Sequence, residues 1–193
     1  MPVTAKVSAS EYQQLIDGEI PFYKLNWSRV NGNLEYLDDD KKVGIRFDHV
    51  LNDDVNKDDR VIFSYVHPYN LQDIEYSIRE AEEKCSEEDS IYFSKTEIAR
   101  SLEDRPVHQV TIASNNAYLS QKPVVFLTCR VHSGETPAQF MLQGFIDKLL
   151  DFEDEHSKSL LDNYVFKIIP CLNPDGVARG QWRRDTSGND LNR

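Results

Sequence analysis

The stretch "VVFLTCRVHSGETPAQFMLQGFIDKLL", residues 124–150, decides how this chain folds. Its first six residues are apolar at nearly every position, the pattern of a strand covered on both faces in a helix-flanked sheet. Its last part repeats apolar residues at Met141, Leu142, Phe145, Ile146, Leu149 and Leu150, which predicts a helix with a wide face turned to that sheet. At the junction, Thr136 can cap the helix, Pro137 suits its first turn and Gln139 completes a capping box. His132 and Glu135 stand three positions apart in the same turn.

Downstream, the polar connection "DFEDEHSKSLLDN" leads into "YVFKIIPCL", a second buried strand ending in the turn "NPDG", residues 173–176. Strand, helix and strand make a βαβ unit, whose crossover is right-handed in nearly all cases. "HSGE" and "NPDG" then leave the carboxyl ends of parallel strands, where open α/β sheets place their ligand sites. Imidazole nitrogen and carboxylate oxygen are both good zinc donors, and a tight turn can point them at one ion. A lone His-x-x-Glu is nevertheless common by chance. Its plainer reading has His132 hydrogen-bonded in a loop and Glu135 favoured by the helix dipole. The tail "GQWRRDTSGNDLNR" gathers Arg183, Arg184 and Arg193 with Asn189 and Asn192. It reads either as a cation-rich pocket for an anionic substrate or as a solvated basic loop.

Working upstream, "VHQVTIAS" and "KPVVFLTCRV" are β-branched runs that read as a hairpin or neighbouring strands, separated by "NNAYLSQ". "LQDIEYSIREAEEKC" carries apolar residues at Leu71, Ile74, Ile78 and Ala81, a helical spacing with a charged outer face. The first sixty residues are short mixed runs broken by "DGEIP", "VNGN", "LDDDKK" and "LNDDVNKDD", the punctuation of turns between short strands. Asp54, Asn56 and Asp58 have the alternate spacing of a calcium loop. Asp59 stands where that template wants Gly and Tyr65 where it wants Glu, so the reading is rejected.

The chain has 193 residues, 39% of them apolar, enough for a real core, and a formal charge of -11. That charge argues against nucleic acid or anionic lipid as the main partner. The first twenty residues lack an apolar core of signal-peptide length, which reads as a cytoplasmic protein with no membrane partner. Cys85, Cys129 and Cys171 lack CxxC spacing and read as reduced core thiols.

"HSGE", "NPDG", "WRR" and "GNDLNR", in this order and with a helix and strand between the first two, resemble the zinc carboxypeptidase family. The flanking text "TCRVHSGETPAQFMLQGFIDKLL" and "FKIIPCLNPDGVARGQWR", with "IFSYVHPYN" upstream, is similar to its cytosolic carboxypeptidase branch. The resemblance implies an α/β chain: a β-sandwich-like N-terminal domain over residues 1–115, then over 116–193 the opening βαβ portion of a zinc-carboxypeptidase mixed sheet, truncated. It implies Zn2+ as cofactor with His132 and Glu135 as two of its three protein ligands. It further implies Arg183 as the catalytic arginine on the scissile carbonyl, and Asn192 and Arg193 as the pair gripping the substrate's free carboxylate. The activity implied is release of C-terminal residues from protein or peptide tails, glutamates from polyglutamylated or acidic-tailed proteins such as tubulin.

The family's third zinc ligand and its general base are a histidine and a glutamate further downstream, which this sequence does not include. The chain is therefore expected to be a fragment, inactive alone. His49, His67, His108 and His156 read as surface or core polar residues rather than replacements. Two other readings stay open: a non-catalytic module binding a protein partner or acidic peptide, and a zinc-dependent deacylase of N-acyl amino acids.

Overall fold

The computed structural model describes residues 2–39, 42–51, 55–116 and 119–193. Parts of the turns read at "LDDDKK", "LNDDVNKDD" and "NNAYLSQ", and Asp54 of the rejected calcium loop, lie outside the described residues. The chain divides into two compact units, Met1–Pro68 and Tyr69–Arg193.

In the first unit β1 (Val3–Val7) leads into α1 (Ala9–Asp17), followed by β2 (Ser28–Arg29), β3 (Leu34–Asp39), β4 (Lys42–Phe47) and β5 (Arg60–Ser64). β1 is the central strand of a three-stranded sheet, antiparallel to both β2 and β5, and β3 pairs with β4 as a hairpin. The β-rich reading of this half missed α1. Its signal was present: Ser8 and Glu11 form a reciprocal capping box, and Gly18 takes the left-handed φ of 75° that ends the helix.

The second unit opens with α2 (Leu71–Ser86), the helix expected from the spacing of Leu71, Ile74, Ile78 and Ala81. Asn70 and Asp73 cap each other's backbone there, and Ile74, Ile78, Ala81 and Cys85 are buried. Next come β6 (Ile91–Arg100) and β7 (Pro106–Ser114), an antiparallel hairpin. β8 (Val124–Thr128), α3 (Thr136–Leu149), α4 (Glu155–Asn163), β9 (Val165–Ile169) and the short α5 (Pro174–Ala178) complete it.

The sheet order is β6-β7-β9-β8, with β8 and β9 parallel and β7 antiparallel to β9. The βαβ unit is therefore present. β7 and β8, expected as neighbours, are separated by β9. Because β7 is hydrogen-bonded into the same sheet as β9, residues 91–114 lie in the second unit, and the division falls at Pro68 rather than near residue 115.

Three local expectations are corrected. β8 lies at the edge of the four-stranded sheet, so Val124 and Phe126 are more than half exposed instead of covered on both faces. The "DFEDEHSKSLLDN" connection contains α4, started by Asp154, whose carboxylate accepts from the Ser157 N–H at 2.9 Å. At α3 the cap position is Glu135, without a side-chain cap bond, and Thr136 and Gln139 are buried within the helix. α3 still buries Leu142, Ile146, Leu149 and Leu150, whereas Met141 is 77% exposed.

Ile112 of β7 and Ile168 of β9 have no exposed surface and sit with Val110, Phe166 and Leu161 in the core of the second unit. Cys85, Cys129 and Cys171 are free and buried. Among the described residues no helix is long and apolar enough to cross a membrane. Ile168→Ala should destabilise the second unit by about 2–5 kcal/mol through lost burial plus the cavity left behind. Urea denaturation followed by circular dichroism measures it, with the exposed Met141→Ala as a near-neutral control.

Candidate functional site

The parallel ladder of β8 and β9 continues beyond both strands. Cys129 N–H donates to Ile169 O (2.9 Å), Leu172 N–H to Cys129 O (3.0 Å) and Asn173 N–H to Arg130 O (3.1 Å). The loops after the two strands are thus tied side by side, as the sequence leads one to expect. Between them Arg130 takes a positive φ of 53°, an uncommon conformation for a residue with a side chain. Its guanidinium holds that turn: it donates to Ser133 O (3.0 Å) and to Tyr69 O (2.8 Å) and is 4% exposed. Burial pushes its pKa down from the usual arginine value.

Asn173 joins three segments. Its Oδ1 accepts from Gly176 N–H at 2.9 Å and so caps α5, while its Nδ2 donates to Val131 O at 3.4 Å and to Arg184 O at 3.2 Å. The tail is further bound to the "HSGE" loop through Gly134 N–H to Trp182 O (2.7 Å) and Ser133 Oγ to Gln181 O (2.6 Å). Gly134 is needed here because a Cβ would come within 2.5 Å of the Trp182 ring.

These ties deliver a cluster. His132, 4% exposed, has Nδ1 3.0 Å from Glu135 Oε1 and Nε2 3.0 Å from Asp190 Oδ1. Arg183 Nε donates to Asp190 Oδ2 at 2.7 Å, and its NH1 lies 4.0 Å from Glu135 Oε1. Asp190 is held well below the usual carboxylate range by the His132 hydrogen bond, then by the Asn192 N–H and Arg183. It is ionised at neutral pH and fixes both the imidazole and the guanidinium.

The structure brings His132, Glu135 and Arg183 together. Asn192 joins through its backbone N–H, which donates to Asp190 Oδ1 at 3.0 Å, while its side chain is exposed. Arg193 is exposed and donates to the neighbouring Asn192 O at 2.7 Å. Arg184 turns to Gly188 O (2.6 Å), and Asn189 engages Asp185, so neither contributes a side chain to the cluster. Asp190 was not singled out in the sequence, although it lies within "GNDLNR"; a lone Asp in a polar loop gives no sign of which distant histidine it meets. Asp175 was also missed. It receives Ser101 Oγ (2.6 Å), Arg105 NH1 (2.7 Å) and the Glu103 N–H (3.1 Å), locking the "NPDG" segment to the β6–β7 turn.

For zinc, His132 Nδ1 and Glu135 Oε1 are hydrogen-bonded at 3.0 Å, shorter than the roughly 3.3–3.6 Å between tetrahedral donors with bonds of about 2.0–2.2 Å, so the pair must open slightly to share an ion. Both donors are of types zinc takes, and Nε2 of the same ring is bound to a carboxylate, the usual arrangement around a metal-ligating histidine. Two protein donors fit part of a site that normally has three. Among the described residues no group of three or more His, Cys, Asp or Glu is arranged to hold a metal ion.

Gly134→Ala should force Trp182 from the loop, lowering the melting temperature and shifting Trp182 emission; a Trp27→Phe background removes the other tryptophan. For Asp175, burial raises the pKa, but the bonds from Ser101, Arg105 and Glu103 outweigh it and hold the carboxyl below 3.8. Its stabilising contribution is present above the ordinary Asp value and is lost as pH falls below that value and through the lowered folded one. Asp175→Asn should be less stable than wild type at neutral pH and lose less stability on acidification, a difference readable in urea midpoints across that window.

Comparison with known proteins accords with this geometry. The family model described as zinc carboxypeptidase matches residues 78–193. Cytosolic carboxypeptidase-like protein 5 of Danio rerio is 30% identical, covering 88% of this chain and 23% of that protein. Cytosolic carboxypeptidase 6 of Mus musculus is 31% identical over 100% of this chain and 32% of its own length. Cytosolic carboxypeptidase 1 of Homo sapiens is 36% identical over 72% of this chain and 12% of its own. The chain thus spans a third or less of these relatives. Among solved structures, a metallo-carboxypeptidase from Burkholderia cenocepacia superposes with a TM-score of 0.68 at 22% identity, covering 99% of this chain and 43% of that one. A metallo-carboxypeptidase from Pseudomonas aeruginosa gives 0.66 at 21% identity, covering 99% and 41%; at such identities these likenesses show the fold. From the extent of the family match and the identities with the cytosolic carboxypeptidases, the chain belongs to the zinc carboxypeptidase family.

Proposed function

We propose that this chain carries part of the active site of a zinc metallocarboxypeptidase that releases C-terminal residues, glutamates from acidic protein tails such as that of tubulin. The observation that carries the reading is the convergence of His132, Glu135, Asp190 and Arg183 at the carboxyl ends of two parallel strands. His132 Nδ1 and the Glu135 carboxylate would hold the ion, with Asp190 accepting the Nε2 proton and so fixing the tautomer that leaves Nδ1 free to ligate. When bound, zinc supplies Lewis acidity and an activated water near neutral pH.

The remaining work falls to the protein. Arg183, aimed by its bond to Asp190, is the group positioned to stabilise negative charge developing on the scissile carbonyl oxygen. Asn192 and Arg193 are the pair proposed to bind the substrate's terminal carboxylate, for which a planar guanidinium fork is suited. Resemblance to the cytosolic carboxypeptidases supports the acidic-tail substrate, and the local arginines suit it despite the overall charge of -11. The third metal donor and the general base are proposed to come from parts of the longer relatives that this chain does not match. On that reading these 193 residues alone bind zinc weakly and do not turn over peptide.

The test has two arms. Zinc titration of the chain, followed by the NMR signals of the His132 ring, should show binding that His132→Ala abolishes and Glu135→Gln weakens. Undiminished binding in both variants removes the metal assignment. In a polypeptide extended through the whole family domain, glutamate release from a Glu-ended peptide should fall about 10²–10³-fold in kcat on Arg183→Ala. Unchanged turnover would remove Arg183 from the mechanism, and equal rates on Lys-ended peptides would remove the acidic preference.

A further inference from the structure

We propose that Arg130 is the positioning residue of the His132 cluster, setting the directions of His132 and Glu135 through the peptide between Ser133 and Gly134, with Tyr69 as its anchor. The consequence for metal binding rests on the function proposed above; the hold on the turn follows from geometry alone. The backbone supplies the first sign. Arg130 has a φ of 53°, a conformation that glycine takes at little cost and other residues avoid, so its side-chain contacts must hold it there.

Those contacts are unusual for a charge. Arg130 is 4% exposed, and among the described residues the acceptors of its guanidinium are backbone carbonyls. Nε (3.0 Å) and NH2 both donate to Ser133 O, and NH1 donates to Tyr69 O at 2.8 Å. A planar fork can grip one carbonyl with two N–H groups and reach a second carbonyl with a third, which a lysine ammonium cannot do.

The doubly gripped carbonyl lies at the centre of the turn. Ser133 O and Gly134 N–H belong to one planar peptide unit, and Gly134 N–H donates to Trp182 O at 2.7 Å. The plane is thus held at its oxygen by Arg130 and at its nitrogen by the tail. His132 precedes it and Glu135 follows it, so the two side chains that meet at 3.0 Å leave a backbone whose central peptide cannot rotate without breaking both grips. The other end of the fork is equally fixed. Tyr69 is 2% exposed, its hydroxyl donates to Gln143 Oε1 of α3 at 3.0 Å, and its ring meets Phe140 edge-on with centroids 5.2 Å apart. The next residue, Asn70, caps α2, its Oδ1 accepting from Asp73 N–H at 2.9 Å. Arg130 therefore ties the His132 turn to the start of α2 and, through Tyr69, to α3.

The test reads the His132 ring by NMR, first in the metal-free chain and then with zinc. Wild type should give one sharp set of ring signals. Arg130→Met, which keeps the apolar stem and loses the donors, should give broadened or multiple sets in a chain still folded by circular dichroism, and should bind zinc about tenfold more weakly. Arg130→Lys, with the charge but no fork, should fall between. A merely structural role would lower the melting temperature and leave the ring signals of the folded variant unchanged; that result overturns the proposal, as does an averaged ring in wild type. Should the methionine variant fail to fold, the lysine variant is read in the same way, and failure of both overturns the proposal because Arg130 would then hold the fold rather than the turn. A wild type that takes up no zinc removes the metal assignment alone, and the ring signals still decide the role of Arg130.

Discussion

The parallel hydrogen-bond ladder between β8 and β9, extended past the strand ends by Cys129, Leu172 and Asn173, is the constraint on which the site depends. Parallel pairing requires a crossover, and α3 and α4 provide it while burying Leu142, Ile146, Leu149 and Leu161 against the sheet. The same pairing puts two loops at one sheet edge, and their own backbone groups then need partners. Arg130, Asn173 and the Gly134 to Trp182 contact supply these, so the chemistry of the cluster is set by how loop carbonyls and amides are satisfied.

Glu135 shows how the start of a helix and the assembly of the cluster meet at one position. It occupies the cap position of α3, where no side-chain cap is formed, and its carboxylate meets His132. The helix goes without the cap that a Ser, Thr, Asp or Asn there would supply, worth about 1 kcal/mol in ordinary cases, and the carboxylate is turned to the imidazole. Pro137 and the buried Thr136 define the start of the helix without that bond.

Much of the architecture was legible where one periodicity ran long enough. α2, α3 and the two parallel strands are such segments, and His132 and Glu135 announced themselves by lying at a strand-to-helix junction. Short or half-exposed elements were not legible: α4 buries only Ser157 and Leu161, and β6 exposes most of its second half. The edge position of β8 was invisible because an apolar run looks the same whether one neighbour or two lie beside it. Asp190, Asp175 and Arg130 escaped because their roles are fixed by partners 58, 70 and 61 residues away, and no local pattern encodes such distances.

The three buried thiols have a consequence of their own. Burial pushes Cys85 up to about 11 and Cys171 up to about 12, and raises Cys129 as well, so almost none of the reactive thiolate exists at neutral pH. Cys129 and Cys171 flank the two site loops, while Cys85 lies at the far end of α2. Alkylating reagents reach any of them only through transient opening. Their labelling rates therefore act as built-in clocks, one pair timing excursions around the sheet edge and the third timing release of the last turn of α2.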